Sequence, residues 1–213
     1  MALWIFINYV PFLFLGFLGF LVWKVSLVVA LAVLYFIPPL MCRLLIAFFG
    51  RPKRSQRVPS KSSYVWWMTT QLQVPFMRFP FLEEVLRMIP GFYSVWLRLW
   101  GAKVGRFVFW SPQVVIADRP FVEIGDKVIF GYGAKVTSHF LKKSKLGTFL
   151  IFGVPKVGSE SLVGAMSVIA PGASLADGAT LEGGSGLHPF SSERISPLFN
   201  DQSIFEKTHI EEV

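Results

Sequence analysis

The sequence contains little cysteine and little charge. Cys42 is the only cysteine, so neither a disulfide framework nor a cysteine-based zinc site is available. It lies in an apolar segment, where burial disfavours the thiolate and therefore catalysis by this thiol. Charged residues make up 16% of the chain, whereas ordinary soluble domains contain about 25%. Hydrophobic residues make up 53%, and this balance indicates that water is not the only solvent of the protein.

The first fifty residues contain almost no ionisable side chain. Those present are Tyr9, Lys24, Tyr35, Cys42 and Arg43. One membrane span needs about 20 apolar residues, and the segment divides around Lys24 into Leu3–Val22 and Val25–Phe49. We therefore expect residues 1–50 to form a transmembrane helical hairpin. A cleaved signal peptide is the alternative, but no Lys or Arg precedes the apolar run and no A-x-A cleavage site follows it.

Positive charge is concentrated directly after this apolar segment. The formal net charge is +8, and the basic residues that follow the second span are Arg51, Lys53, Arg54, Arg57 and Lys61. Anionic lipid headgroups attract each such residue by about 1 kcal/mol, and an excess of Lys and Arg marks the cytoplasmic side. We therefore expect a multi-pass protein of the cell inner (cytoplasmic) membrane, with membrane lipids as partners. A merely solvated linker is the alternative.

Residues 51–103 read as a basic linker followed by amphipathic interfacial helices. Aromatic residues alternate here with arginines, and such side chains prefer the headgroup level of a membrane. Between Pro80 and Pro90 the sequence predicts a short helix over Phe81–Ile89, and a second over Phe92–Trp100. These helices would lay the next domain against the membrane. An ordinary collar that packs on a core is the alternative.

Apolar residues recur every six positions in the second half of the chain. The series is Val104, Trp110 and Ile116, then, after a two-residue insertion, Ile124, Phe130 and Val136, and later Val157, Val163, Ile169, Leu175 and Leu181. A small residue follows nearly every one of them. An amphipathic helix repeats at about 3.6 residues and a meander strand at about two, so neither produces this period.

A parallel β-helix with three short strands per coil explains a period of six. One apolar residue per strand points inward and stacks on its equivalents, so one coil takes about 18 residues. The next position lies at a corner, where the chain turns tightly and a bulky Cβ would clash. The predicted fold is therefore a membrane α plus all-β protein, with the helical hairpin and interfacial helices followed by a left-handed parallel β-helix over 104–186. A Gly-rich antiparallel sandwich is the alternative.

The repeat is interrupted once and then ends before the chain does. The interval from Val136 to Val157 is 21 residues, too long for one simple coil, so we expect a loop excursion at 138–156. Insertions on such solenoids map to one face, often the binding face. Beyond the repeat, residues 187–213 form a polar C-terminal tail.

The repeat and its motifs resemble the hexapeptide-repeat (left-handed parallel β-helix) acyltransferase family. The similarity covers about residues 104–181, and Thr137–Phe140 stands where family members that acylate sugars or amines carry a turn closed by a histidine. The stretch Val122–Asp126, with the turns at 157–158 and 163–164, is also similar to membrane-bound terminal modules of some peptide synthetases. The chain departs from the family in lacking its usual Gly-Asn-Pro-Ala type of C-terminal loop.

The resemblance implies an O- or N-acyltransferase that moves an acyl group from an acyl-CoA or acyl-carrier thioester to a hydroxyl or amine at the cytoplasmic membrane surface. His139 would be the general base, because an imidazole titrates near neutral pH. Glu123 or Asp126 would orient it. The implied substrate- and donor-binding residues are Ser138, Lys142, Lys143, Gly164 and Ala165. The resemblance also implies a homotrimer, acyl-CoA as cosubstrate, no metal, and a small-molecule, lipid or glycan acceptor.

The sequence disfavours two other functions and leaves a third as a serious alternative. A γ-class carbonic anhydrase has the same helix but needs three histidines around a metal, and of His139, His188 and His209 only the first lies in the repeat region. No basic and aromatic stripe runs along the repeat, so nucleic acid is not an expected partner. The serious alternative is a non-catalytic trimeric scaffold or subunit of a membrane biosynthetic complex, which would tolerate the loss of His139.

Overall fold

The structure, a computed structural model, describes residues 2–192 and 195–197. The helices are α1 (Ala2–Asn8), α2 (Val10–Lys24), α3 (Leu27–Phe49), α4 (Lys61–Arg78), α5 (Phe81–Arg87) and α6 (Phe92–Trp100). The strands are β1 (Ser55–Val58), β2 (Lys103–Val104), β3 (Phe109–Trp110), β4 (Val115–Ile116), β5 (Glu123–Ile124), β6 (Ile129–Phe130), β7 (Lys135–Val136), β8 (His139–Ser144), β9 (Gly147–Phe152), β10 (Lys156–Val157), β11 (Leu162–Val163), β12 (Val168–Ile169), β13 (Ser174–Leu175), β14 (Thr180–Leu181), β15 (Ser185–Leu187) and β16 (Ile195–Pro197).

The apolar N-terminal segment forms two long helical stretches. Ile5–Lys24 and Leu27–Phe49 are long and apolar enough to span a membrane, by length and composition. Ser26 begins the second stretch as an N-cap, and its hydroxyl accepts a hydrogen bond from the Val29 amide at 3.2 Å. Only 17% of the most apolar part of the first stretch and 28% of that of the second are buried inside the protein. Most of this apolar surface is therefore not covered by the chain itself.

Helix α3 continues through Pro38 and Pro39. Proline has no backbone N–H, so Pro39 cannot donate to the carbonyl four residues earlier, which belongs to Tyr35. The indole Nε1 of Trp96 donates to that carbonyl at 3.0 Å. This bond satisfies the orphaned acceptor and attaches α3 to α6.

Helices α4, α5 and α6 form a collar between the N-terminal helices and the β domain. The sequence predicted α6 with the observed bounds, and it predicted α5 with two additional residues at the C-terminal end. It did not predict α4. Helix α4 begins with a capping box in which Ser60 and Ser63 exchange side-chain and backbone hydrogen bonds. The collar's largest fully buried side chains include Trp100, Tyr93 and Phe76. Its opposite face leaves apolar side chains exposed, namely Phe81, Val85, Met88, Ile89, Phe92 and Val95.

The β domain is a parallel β-helix of three sheets. The sheets contain, in spatial order, β13-β10-β5-β2, β14-β11-β6-β3 and β16-β15-β12-β7-β4, and all pairs except β15 with β16 are parallel. Lys156 faces Ser174, which confirms the predicted coil of 18 residues. Lys103 faces Glu123, 20 residues away, because of the predicted two-residue insertion.

The small residues that follow the inward apolar residues are required by the neighbouring coil. A Cβ added at Gly158 would lie 2.4 Å from the carbonyl carbon of Ala176, and one at Gly125 would lie 2.5 Å from the amide nitrogen of Ser159. The sequence interpretation attributed the small residues to a tight turn. The positive φ angles instead occur nearby, for example at Lys127 and Glu160, two residues after the glycine.

The excursion from the β-helix is a β-hairpin. Strands β8 and β9 pair antiparallel, and β1 from the basic segment pairs with the outer edge of β9. Because β1 lies between α3 and α4 in the chain, this three-stranded sheet joins the N-terminal half to the interrupted coil. The C-terminal tail predicted for 187–213, including His209, lies mostly outside the described residues.

Candidate active site

His139 lies where the hairpin leaves the β-helix. It is the first residue of β8, and it follows the coil strand β7 by three residues. The hydroxyl of Thr137 donates to the carbonyl of His139 at 3.0 Å, which fixes the backbone at this corner. The side chain of His139 is 23% exposed, so the imidazole is supported on one side and reachable on the other.

The imidazole of His139 is paired with Asp118. The Nδ1 of His139 and the Oδ2 of Asp118 are 2.7 Å apart. The Asp118 carboxylate is 2% exposed, and its Oδ2 also accepts a hydrogen bond from the Ser138 amide at 2.9 Å. A buried carboxylate of this kind holds a histidine in one ring orientation and one tautomer.

Asp118 reaches this position because of the stacking of coils. Ile116 faces Val136 across adjacent coils, so Asp118 lies beside Ser138. The two-residue insertion turns the chain here, with the amide of Phe121 donating to the carbonyl of Asp118 at 3.0 Å. The hydroxyl of Ser138 donates to the carbonyl of Phe121 at 2.6 Å and attaches this turn to the next coil. The insertion therefore provides the carboxylate, and the next coil provides the histidine.

Trp66 of α4 covers the imidazole. Its ring centroid lies 4.7 Å from that of His139, with the ring planes inclined at 57°, and it is 3% exposed. With Asp118 at Nδ1 and Trp66 at the ring, Nε2 is the nitrogen left for a proton-transfer partner. The orientation of the imidazole is therefore fixed by a carboxylate and by packing.

A buried ionic network adjoins Asp118. The next residue, Arg119, is 3% exposed and pairs with the carboxylate of Glu83 through Nε at 2.5 Å. Gln73 accepts from the amide of Arg119 at 2.8 Å, and the hydroxyl of Tyr93 donates to Glu83 at 2.8 Å. Burial first, and then the charge of Glu83, raise the pKa of Tyr93. The network links α4, α5 and α6 to the insertion that carries Asp118.

The structure separates the predicted donor- and substrate-binding residues. Ser138 is 1% exposed, and its amide and hydroxyl are committed to Asp118 and Phe121. Lys142 and Lys143 are exposed on the hairpin, on the strand that begins with His139. Gly164 and Ala165 follow β11, whereas His139 follows β7 in a different sheet. They therefore lie at a different corner of the coil from His139.

Neither carboxylate that the sequence offered as an orienting group is the partner of His139. Glu123 accepts from Lys103 at 2.9 Å and faces Lys156 at 3.6 Å. Asp126 accepts from the amide of Arg106 at 2.6 Å. The signal that could have identified Asp118 is its place in the two-residue insertion, one coil before the histidine. Uniform coils of a solenoid stack without any insertion, so an insertion marks a position worth examining for a functional residue.

Within residues 2–192 and 195–197, no group of three or more His, Cys, Asp or Glu side chains is arranged to hold a metal ion. Cys42 is fully buried in α3. His139 begins the hairpin, whereas His188 follows the coil strand β15, 49 residues later in the chain.

Comparison with known proteins finds similarity in fold. A maltose O-acetyltransferase from Clostridium difficile 630 is 11% identical, with a TM-score of 0.39, over 59% of this chain and 86% of its own. A hexapeptide-repeat-containing acetyltransferase from Vibrio cholerae is 13% identical, with a TM-score of 0.36, over 59% and 94%. A galactoside acetyltransferase in complex with coenzyme A is 14% identical, with a TM-score of 0.35, over 55% and 82%.

All three are acetyltransferases. No protein-family profile and no curated protein matches this sequence. At these identities and TM-scores the similarity assigns neither a substrate nor a mechanism to the chain. A functional assignment therefore depends on the chemistry of its own residues.

Proposed function

We propose that this protein is a membrane-anchored acyltransferase in which His139 and Asp118 form the general base. The observation that carries the proposal is the contact of 2.7 Å between Nδ1 of His139 and the buried carboxylate of Asp118. A paired, partly exposed imidazole at the point where a solenoid is interrupted is suited to removing a proton from a bound acceptor.

The proposed reaction joins a hydroxyl or amine acceptor to a thioester. The Nε2 of His139 takes the acceptor's proton as the acceptor oxygen or nitrogen attacks the thioester carbonyl carbon. Asp118 stabilises the positive charge that develops on the imidazole. The tetrahedral intermediate then collapses, the carbon–sulfur bond breaks, and the departing thiolate receives the proton from His139. The products are the acylated acceptor and a free thiol.

The hairpin lysines are the proposed contacts for the donor. Lys142 and Lys143 are exposed on β8, whose first residue is His139. Phosphate groups of acyl-CoA are bound well by lysine ammonium groups at solvent-exposed sites. An acyl-CoA anchored there would have its thioester end directed toward the base of the hairpin. No metal takes part in this reaction.

The proposed location is the cytoplasmic surface of the inner membrane. Two helical stretches have the length and composition of membrane spans and leave most of their apolar side chains uncovered. The collar helices add exposed apolar side chains beside them, such as Met88, which is 81% exposed. A site held at the bilayer surface would suit a lipid, a lipid-linked sugar or a membrane-delivered amine as acceptor.

The proposed assembly is a homotrimer built through one sheet of the β-helix, which we take as left-handed. Phe109, Ile129 and Leu162 lie in register on successive coils of that sheet. They point outward and are 60%, 45% and 40% exposed. Such an apolar ladder on a solenoid surface is typical of an interaction face. The molecular mass in detergent, corrected for bound detergent, tests the assembly.

Mass spectrometry of total lipids and amine metabolites tests the proposed function. Cells express the wild-type chain or His139→Ala at matched membrane levels, and an acylated species is expected only with the wild type. Release of free thiol from acyl-CoA by the purified protein provides a second readout. Identical metabolite profiles from two folded proteins would contradict the proposal and favour the non-catalytic scaffold.

A further inference from the structure

Helix α3 is fastened to the collar along much of its length. The indole Nε1 of Trp96 donates to the carbonyl of Tyr35 at 3.0 Å. Further along the helix, the Cγ of Arg43 lies 3.7 Å from the position that a Cβ would take at Gly101, directly after α6. Tyr35 and Arg43 are about 12 Å apart along the axis of α3. Helix α6 therefore runs beside α3 and does not merely touch one of its ends.

An apolar groove lies between α3 and the outer face of the collar. It has a volume of about 590 Å³ and is lined by Leu31 and Phe36 of α3 and by Val85, Phe92 and Val95 of the collar. All five side chains are exposed. The exposed apolar side chains of α3 and those of the outer collar face therefore belong to one continuous surface. We call this surface the apolar platform.

A crossing of the bilayer by α3 would carry charged groups of the collar into hydrocarbon. With Phe49 at the membrane surface, Tyr35 would lie about 21 Å deep, beyond the centre of a hydrocarbon core that is about 30 Å thick. The hydroxyl of Tyr35 donates to the carbonyl of Leu82 at 2.8 Å, so α5 would lie at the same depth. The side chain of Glu84 in α5 is 34% exposed, and an exposed carboxylate is strongly disfavoured there.

The charges around the apolar platform fit a lipid surface. Residues 1–82 contain no Asp or Glu, so the helices of the N-terminal half before α5 carry positive charge only. Lys24 ends α2, Arg43 lines the apolar groove, and Arg51 and Lys53 follow α3 directly. Phosphate-bearing headgroups attract such side chains, and long basic side chains reach the headgroup level from an apolar setting.

We propose that the apolar platform inserts into a single leaflet of a phospholipid bilayer, with α3 lying along the membrane instead of crossing it. The turn between α2 and α3 then lies on the same side of the membrane as the β-helix. This arrangement differs from the two-span anchor that composition predicts, because length and apolar composition do not distinguish a crossing helix from one that lies in a leaflet. The inference rests on the proposed membrane location and is independent of acyl transfer.

Depth measurement in reconstituted vesicles provides the test. The full chain with Cys42→Ala carries one nitroxide, at Val28→Cys, Phe36→Cys, Phe48→Cys or Met88→Cys, all of which are exposed positions on the apolar platform. The vesicles contain phosphatidylcholine and phosphatidylglycerol. Collisions with oxygen, which concentrates in hydrocarbon, and with a polar nickel chelate give the depth of each nitroxide. We expect all four to lie about 5–10 Å below the headgroup boundary, as for a helix in the membrane plane.

A crossing helix gives a different depth profile. Phe36→Cys would then lie near the bilayer centre and Val28→Cys and Phe48→Cys near its two surfaces, and this profile would overturn the proposal. Nitroxides that neither reagent reaches would show that protein covers the platform, which would also overturn it. Lys135→Cys on the β-helix is the aqueous control and should remain accessible to the nickel chelate. Circular dichroism checks that each labelled variant is folded.

Thiol labelling in cells provides a second test, which does not need reconstitution. Val25→Cys with Cys42→Ala places a single thiol in the turn between α2 and α3. An impermeant maleimide should label neither this variant nor Lys135→Cys in intact cells. Labelling of Val25→Cys alone would show that α3 crosses the membrane and would overturn the proposal. Labelling of both would keep the two sites on one side, which supports the single-leaflet arrangement, and would contradict only the cytoplasmic location.

The same vesicles separate this inference from the proposed acyl transfer. Release of free thiol from acyl-CoA is measured on the reconstituted chain. Absence of thiol release from a protein with the expected nitroxide depths would contradict the acyltransferase and support the apolar platform. Thiol release by a protein whose nitroxides all remain in water would do the reverse and overturn the platform.

Discussion

At the scale of single residues, the site depends on one carboxylate. Asp118 accepts from Ser138 and contacts His139, and its side chain is almost fully buried. A residue so enclosed cannot touch a substrate, so its role is to position the imidazole. His139 is the group that would contact the acceptor.

Asp118→Asn tests that division of roles. The amide keeps the size of the side chain but presents the wrong hydrogen-bonding group to Nδ1, so we expect thiol release from acyl-CoA to fall by about 10²- to 10⁴-fold in kcat. KM for acyl-CoA should change little, because the donor contacts lie elsewhere. His139→Ala should be equally impaired, and the double variant no worse than either. Additive losses of activity in the double variant would show that Asp118 and His139 do not act as one unit.

Trp66 also acts on His139, through packing. We expect Trp66→Phe to retain most activity because an aromatic ring still covers the imidazole, whereas Trp66→Ala should lower kcat with a smaller effect on KM. To exclude an effect of unfolding, the activities of both variants are compared at temperatures where circular dichroism shows that they are folded. Equal activity of Trp66→Ala and wild type would show that the contact with Trp66 does not position the imidazole.

At the scale of elements, the coils of the β-helix stack without room for side chains at the corners. A Cβ at Gly158 would lie 2.4 Å from the carbonyl carbon of Ala176, so Gly158→Ala forces the coils apart. We expect a loss of about 1–3 kcal/mol in the free energy of unfolding. Gly16→Ala in α2 is the control, since nothing lies within 4 Å of its added Cβ. Chemical denaturation followed by circular dichroism compares the two.

A charged ladder crosses three coils on one sheet. Lys103, Glu123 and Lys156 are in register on β2, β5 and β10. The hydrogen bond from Lys103, opposed by partial burial and aided by the charges of both lysines, lowers the pKa of Glu123. A lowered folded-state pKa means that this stabilisation is present above the ordinary carboxyl pKa and is lost as pH falls through the folded-state value.

Glu123→Gln should therefore reduce stability at neutral pH by a few tenths to about 1 kcal/mol, the usual contribution of a cross-strand charge pair. In acid the variant and the wild type should converge, because the wild-type carboxyl is then protonated. The measurement is the free energy of unfolding as a function of pH. A constant difference between the two proteins at all pH values would contradict the assignment.

At the scale of the whole molecule, the N-terminal half and the β-helix meet through the buried network and the three-stranded sheet. The ion pair between Arg119 and Glu83 connects the insertion of the first coil to α5. Arg119 lies in the turn from Asp118 to Phe121, so the network also fixes the corner that carries Asp118. The N-terminal half and the β-helix are thus joined by side-chain contacts as well as by the chain.

Arg119→Met tests this connection. It leaves the buried carboxylate of Glu83 short of a partner, and we expect a loss of about 3–5 kcal/mol in the free energy of unfolding. Arg119→Met combined with Glu83→Gln should be less destabilised than the single variant, since glutamine carries no charge and its carbonyl oxygen can still accept from Tyr93 and Arg87. A double-mutant cycle in detergent measures the coupling. Full additivity would mean that the pair contributes nothing.

Membrane topology is tested by thiol labelling. Cys42 is buried, and Cys42→Ala removes it, so a single exposed cysteine can be introduced as Lys135→Cys on the β-helix. We expect the protein to resist carbonate extraction and this cysteine to react with an impermeant maleimide only after the cells are opened. Labelling in intact cells would place the β-helix outside the cytoplasm.

The sequence by itself determined the periodic parts of this protein. The inward residues from Val104 to Leu181 recur every six positions because each coil repeats the same packing, and the two apolar helices follow from uninterrupted hydrophobic composition. Such patterns are local, so the coil length and the site of the excursion could be predicted. His139 was identified because it stands at that interruption, where members of the family that the repeat resembles carry a histidine.

Only the tertiary structure decided what surrounds His139. Asp118 is 21 residues earlier in the chain, and Trp66 comes from a helix that composition alone did not predict. The pairing of β1 with β9 likewise joins segments far apart in sequence. Contacts of this kind leave no period in the sequence, because one residue meets its partner once, and the register of coils and helices alone brings the two together.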